Sequence, residues 1–153
     1  MQTTLSTITF PTDHEFMGDA IPDKDPASIR IYYNNVNGIS TQHQHEKLHS
    51  ILDSMNNLAA DIVCFAEHNL DVSQPKVRYD LQRVIKKHYK CSRTISTTSP
   101  TKFPSAFKPG GCMNIINKTI HSRITQQGHD YLGRWTHVRL ATKAHSMIYI
   151  ITV

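Results

Sequence analysis

Acidic side chains are almost missing from the second half of this 153-residue chain: after Asp80 only Asp130 carries a carboxylate, against twelve Lys and Arg. No D-x-N or D-H pair can therefore be drawn in that half. Long apolar runs are missing as well. None approaches the roughly 20 residues that span a bilayer, and the opening MQTTLSTITFPTDHEF has neither the basic segment nor the apolar core of a secretion signal. The expectation is an intracellular protein without a membrane partner, the nucleus being one possible location. Cysteine is scarce too: Cys64, Cys91 and Cys112 are odd in number, lack CxxC spacing and sit in apolar or strand-like stretches. That excludes a disulfide framework, and all three read as reduced packing residues.

What is present is uneven. The net charge of +5 combines an acidic first half with a strongly basic second half. A basic half suits a polyanion such as nucleic acid, because neutralising phosphates releases counterions; a solvated basic surface explains it equally well.

Residues 1–28 hold Pro11, Pro22 and Pro26 among the acids Asp13, Glu15, Asp19, Asp23 and Asp25, with no apolar period. They read as a disordered or loosely attached leader, and residues 29–153 as the folded unit. IRIYYN from Ile29 reads as a strand that ends at the turn Asn37-Gly38. Leu48, Ile51, Leu52, Met55 and Leu58 recur at spacings of three and four, which predicts a helix between His45 and Ala60. The unbroken apolar run Ile62 to Ala66 suits a strand buried on both faces. Strand, helix and strand make a βαβ unit. A second helix is predicted from Pro75 to about His88, and short strands at Cys91–Thr97, Cys112–Ile116, Arg134–Leu140 and Met147–Val153, separated by Pro- and Gly-containing loops.

A βαβ crossover makes its strands parallel, so their C-terminal ends share the edge where open α/β sheets bind ligands. Asn35 and Glu67 are thereby expected to converge. A carboxylate beside an amide oxygen is the hard, partly hydrated setting that Mg²⁺ prefers, although a plain turn and a solvated Glu would have the same spacing.

The strand end Asn35-Val36-Asn37-Gly38, followed by a helix and then by Asp61-Ile62-Val63-Cys64-Phe65-Ala66-Glu67, resembles the first two motifs of the endonuclease/exonuclease/phosphatase family. That family includes the apurinic-site nucleases and the endonucleases of non-LTR retroelements. Gly110-Gly111-Cys112-Met113-Asn114-Ile115-Ile116 and Gly133-Arg134-Trp135 to Leu140 are similar to two later strands, and Ile150 to Val153 to a further one. The resemblance covers Ile29 to Val153. It departs at Ala66, where the family usually has Gln, and at the Gly-Gly strand, which lacks the aromatic of the apurinic-site nucleases.

The resemblance implies an α/β four-layer αββα sandwich with mixed parallel and antiparallel strands, of which this chain carries a truncated, N-terminal half. It implies Glu67 as the ligand of a catalytic Mg²⁺, Asn35 beside the metal, and Asn37 at a second position that contacts nucleic acid. The parent activity would be phosphodiester hydrolysis, with DNA the expected substrate and a reverse transcriptase domain downstream in a retroelement-type polyprotein. The family's later motifs, G-D-x-N and S-D-H, do not occur in this sequence. Together with a final strand that runs into the C-terminus, this leads us to expect an interrupted reading frame and an incomplete, inactive site. One face of the first sheet, rich in Val, Ile and Cys, is then expected to lack its cover.

Other patterns compete. Lys86, Lys87, Lys90 and Arg93 form a basic run around Tyr89 that suits a phosphate backbone or a solvated helix end. A non-catalytic nucleic-acid binder is the alternative function. His45-Glu46-Lys47-Leu48-His49 satisfies H-E-x-x-H, the zinc-peptidase pattern, with Glu67 as an imaginable third ligand. Lys47 at an inner position and the β-context of Glu67 weigh against it. His43 could extend that cluster, His68 reads as a surface or second-layer residue near the metal corner, and Trp135 reads as core. The sequence does not indicate an oligomeric state.

Overall fold

A computed structural model describes residues 21–40, 45–100, 107–143 and 146–153. Most of the expected leader, residues 1–20, and His43 lie outside the described residues. The element order is β1 (Ile31–Asn35), α1 (Glu46–Asn57), β2 (Ile62–Ala66), α2 (Pro75–His88), β3 (Arg93–Ser96), β4 (Cys112–Ile116), α3 (Lys118–His121), β5 (Ile124–His129), β6 (Thr136–Ala141) and β7 (Met147–Thr152).

These strands form two stacked sheets. The first has the order β1-β2-β4-β3 and is mixed, since β1 and β2 run parallel while β4 is antiparallel to both of its neighbours. The second, β5-β6-β7, is antiparallel throughout. The alternation of side chains along β2 explains the layering. Val63 and Phe65 face α1 and α2, in a core that includes Leu48, Leu52, Leu81, Val84 and Ile85. Ile62 and Cys64 face the second sheet, where Val138, Leu140 and Ile150 meet them. All five residues of β2 are buried, as expected for a strand covered on both sides. Truncating Phe65 or Leu81 to Ala would cost about 2–5 kcal/mol by loss of burial and the cavity left behind.

Helices, first sheet and second sheet thus make three layers of an αββα sandwich. The second sheet corrects the expectation of an uncovered face, because β6 and β7 already cover Ile62, Cys64 and Ile116. A buried polar bridge ties the sheets together: Asn114 Nδ2 donates to Thr136 Oγ1 at 3.0 Å, and Thr152 Oγ1 donates to Asn114 Oδ1. Exposed apolar side chains include Ile31 and Tyr33 on β1 and Met147, Tyr149 and Ile151 on β7, an outer strand of each sheet.

Other details differ from the sequence reading. β5 and the single-turn α3 were not expected; ITQQGH has no apolar alternation, and β5 is largely exposed. Cys64 and Cys112 are buried, but Cys91 is exposed. Residues just before β1 are anchored: Lys24 pairs with Asp61 at 2.5 Å, and Arg30 Nη2 donates to the Pro22 carbonyl at 2.8 Å.

Candidate active site

Asn35 pairs in register with Ala66, the residue before Glu67, so the two parallel strands end side by side. The chain leaves them through two turns in unusual backbone conformations. Asn37, Gly38, Glu67 and Asn69 all have positive φ, at 43°, 87°, 52° and 56°. Left-handed backbone at a residue such as Glu is uncommon and persists where surrounding contacts enforce it. Here the first turn donates to the second. Gly38 N–H donates to the Glu67 carbonyl at 2.7 Å and Ile39 N–H to the His68 carbonyl at 2.8 Å. Asn37 N–H donates to Asn35 Oδ1 at 3.0 Å. Lys47, from the first turn of α1, donates through Nζ to the carbonyls of Val36 and Gly38. That clamp accounts for the lysine at an inner position of H-E-x-x-H.

A third segment closes over the site. Asn69 N–H donates to the Gly110 carbonyl, and Gly110 N–H returns to Asn69 Oδ1 at 2.7 Å. The same loop is pinned by a buried ion pair, Lys108 with Asp71 at 3.2 Å. Burial works to raise the Asp71 pKa, but hydrogen bonds from Ser73, Gln74 and Lys108, with the lysine charge, hold it below the usual carboxylate value. Gly111 is required: its φ is +84°, and a Cβ there would lie 2.6 Å from His68 Cε1.

Of the two positions expected for His68, at the surface or in a layer behind the corner, the structure has the second. It is fully buried, accepting at Nδ1 from Leu70 N–H and donating from Nε2 to the Thr97 carbonyl at 2.9 Å. Burial pushes its pKa down to about 4, against the raising effect of hydrogen bonds to Thr97 and Cys112 backbone, so it is a neutral strut beneath Glu67.

Asn35, Glu67, Gly110, Gly111, Arg134 and Val153 line a cavity of about 340 Å³ at this edge. Glu67 is exposed, and its carboxylate has no hydrogen-bond or ion-pair partner among the described residues. The field of that carboxylate reaches Cys112, whose thiol is pushed up to about 11 by burial, then by Asp130 and Glu67. Asp130 itself is engaged with the Arg134 side chain at 2.8 Å and the Arg134 backbone at 2.6 Å.

The donor set suits a hard cation: one free carboxylate and one amide oxygen, with open space for the several waters that Mg²⁺ retains. Among the described residues no group of three His, Cys, Asp or Glu stands in ligating geometry. The second histidine of H-E-x-x-H is engaged elsewhere. His49 Nδ1 is hydrogen-bonded to His88 Nε2 at 2.7 Å, and His88 Nδ1 meets Asp53 at 2.9 Å. His45 is buried at the start of α1, and Glu67 belongs to the strand-end site instead.

Asn35, Asn37 and Glu67 are brought together; Lys86, Lys87, Lys90 and Arg93 are not. Arg93 pairs with Ile116 and Ile116 with Ile62, which places Arg93 at the opposite end of the sheet, two strands from β2. Trp135 is half-buried and packs at a tilt on His137, with ring centroids 5.6 Å apart, so it does not enter the core.

No family model and no curated protein matches this sequence. Solved structures do match. An endonuclease/exonuclease/phosphatase family protein from Leptotrichia buccalis superposes with a TM-score of 0.56 at 12% identity, over 82% of this chain and 54% of that one. An AP endonuclease from Leishmania major gives 0.53 at 16% identity, over 82% and 39%. The chain thus has the fold of these proteins and spans about half their length or less.

Proposed function

We propose that this chain supplies the metal-side half of a Mg²⁺-dependent phosphodiesterase site, acting on nucleic acid and in particular DNA. The observation that carries the reading is the unpaired Glu67 carboxylate beside Asn35 on the wall of an open cavity, both set at the ends of parallel strands. The folds it resembles, one of them an AP endonuclease, support the reaction class.

Glu67 would hold the ion with Asn35 Oδ1 next to it. When bound, Mg²⁺ supplies Lewis-acid stabilisation of charge developing on a phosphoryl oxygen. The chain's own residues do the rest of the preparation. Asn35 keeps its amide fixed through the bond from Asn37 N–H, leaving Nδ2 to donate to a phosphate oxygen. Asn37, exposed on the turn, is placed to touch the strand beside it. Lys47 and the Gly38–Glu67 bond hold both turns so that little is reorganised on binding.

These residues position a metal and one face of a phosphate. No D-x-N or D-H pair follows them in this sequence, so we expect binding without appreciable turnover from this chain. A titration of Mg²⁺ monitored by amide NMR tests the placement. Shifts confined to Asn35, Asn37, Gly38 and Glu67 support it, and shifts spread over the acidic surface, or centred on His45 and His49, refute it.

A further inference from the structure

A second cavity, of about 350 Å³, opens where the end of α2, the start of β3 and the middle of β5 meet, lined by Gln82, Lys86, Ser92, Arg93, Thr94 and Gln127. Its polar groups are two cations, two amides and two hydroxyls, without a carboxylate. The basic residues around it are unpaired: among the described residues Lys86, Lys87, Lys90 and Arg93 make no ion pair. Lysines in the last turn of a helix offset its dipole, which accounts for Lys86 and Lys87. It does not account for Arg93, on the next strand, whose Nε donates to Gln127 Oε1 of the other sheet at 3.1 Å. That bond fixes the guanidinium across the cleft, and its two terminal nitrogens have no partner among the described residues. Ser92 Oγ, beside the same cleft, is buried with no hydrogen-bond partner among the described residues.

We infer that this cleft binds the phosphate backbone of a nucleic-acid strand, as an anchor separate from the Glu67 corner. An Arg fork with amide and hydroxyl donors is the chemistry that holds phosphate oxygens without reading bases. Five residues along β2 and two strands across separate the sites by roughly 20 Å at ordinary strand spacing. Along one strand of a duplex, at ~3.4 Å per phosphate, that distance spans about six nucleotides. The ligand class rests on the proposed function, but the anchor does not require metal at Glu67.

The test is fluorescence anisotropy of a labelled 20-nucleotide single-stranded DNA with the full chain, in EDTA, over a series of salt concentrations. The double variant K86A/R93A is expected to bind at least roughly fivefold more weakly at low salt, with a salt slope shallower by about 1.4 for two lost phosphate contacts. K76A, which removes an exposed lysine from the other end of the same helix, is expected to bind like the wild type in EDTA. R93K keeps the charge and folding but loses the fork, and is expected to weaken binding part of the way. Unchanged affinity and slope in K86A/R93A overturn the inference, as does an absence of DNA binding or an equal loss of affinity in K76A. Because metal is chelated throughout, a failure here is distinct from a failure of Mg²⁺ binding at Glu67.

Discussion

Gly38 N–H and the Glu67 carbonyl are 2.7 Å apart, and through that bond the turn after β1 fixes the turn after β2. The carboxylate of Glu67 is therefore presented by a backbone that two neighbouring strands hold, rather than by a free loop. Gly38 can serve because its φ of +87° is easy only for glycine, and because an added Cβ would press on Asn69 at 3.1 Å.

Lys47 should matter for this turn more than for the whole fold. K47M removes two charge-assisted bonds to carbonyls while keeping most of the side-chain length. Hydrogen exchange at the Gly38 and Ile39 amides should speed up by about tenfold, corresponding to ~1.4 kcal/mol of local opening, with little change in global melting. Equal acceleration across β2 and β4 would show that the lysine supports the core instead.

Acid should weaken the fold through His68. A histidine whose folded pKa is depressed from 6.5 to about 4 binds its proton more readily when unfolded. Its contribution is fully present above pH 6.5 and is lost progressively as pH falls to about 4. Up to about 3 kcal/mol is at stake over that window. Urea denaturation at pH 7.5 and pH 4.5 should show this slope, and H68Q should flatten it even if it starts from lower stability.

Breaking the Asp71–Lys108 pair leaves a buried charge behind. D71A and K108A should each cost about 3–5 kcal/mol, and a double replacement by apolar residues should cost less than either. Thermal unfolding checks the order; additive losses would mean that the two side chains act independently.

Of three thiols, one is accessible. Cys91 is exposed, while Cys64 and Cys112 are buried, and burial is the main cause that raises the pKa of both buried thiols. Native protein treated with a maleimide should label once, rapidly, at Cys91, with the other two reacting only on unfolding. Fast labelling at Cys112 would contradict the packing of β4 against the second sheet.

The site corner was legible because it is local in pattern: an apolar run, a helical period and an Asn-Gly turn fix a βαβ unit, and parallel strands bring Asn35 to Glu67. The features that support the corner were not. Asp71 and Lys108 are far apart in sequence and meet only through the loop that passes over the site. His68 is polar and next to an exposed residue, and only the Gly-Gly strand packed against it reveals that it is buried. β5 was missed because an edge strand with mostly solvated side chains needs no apolar alternation, its partner β6 supplying the order. The three-layer packing likewise depended on which way β6 and β7 face, which alternation alone leaves open.

The most direct test of the central claim is electron paramagnetic resonance of Mn²⁺ as a stand-in for Mg²⁺, comparing the wild-type chain with E67Q. The account predicts weak binding at one site in the wild type, displaced by excess Mg²⁺, and at least a tenfold loss in E67Q with the fold intact by circular dichroism. Identical Mn²⁺ binding by the two proteins would contradict it.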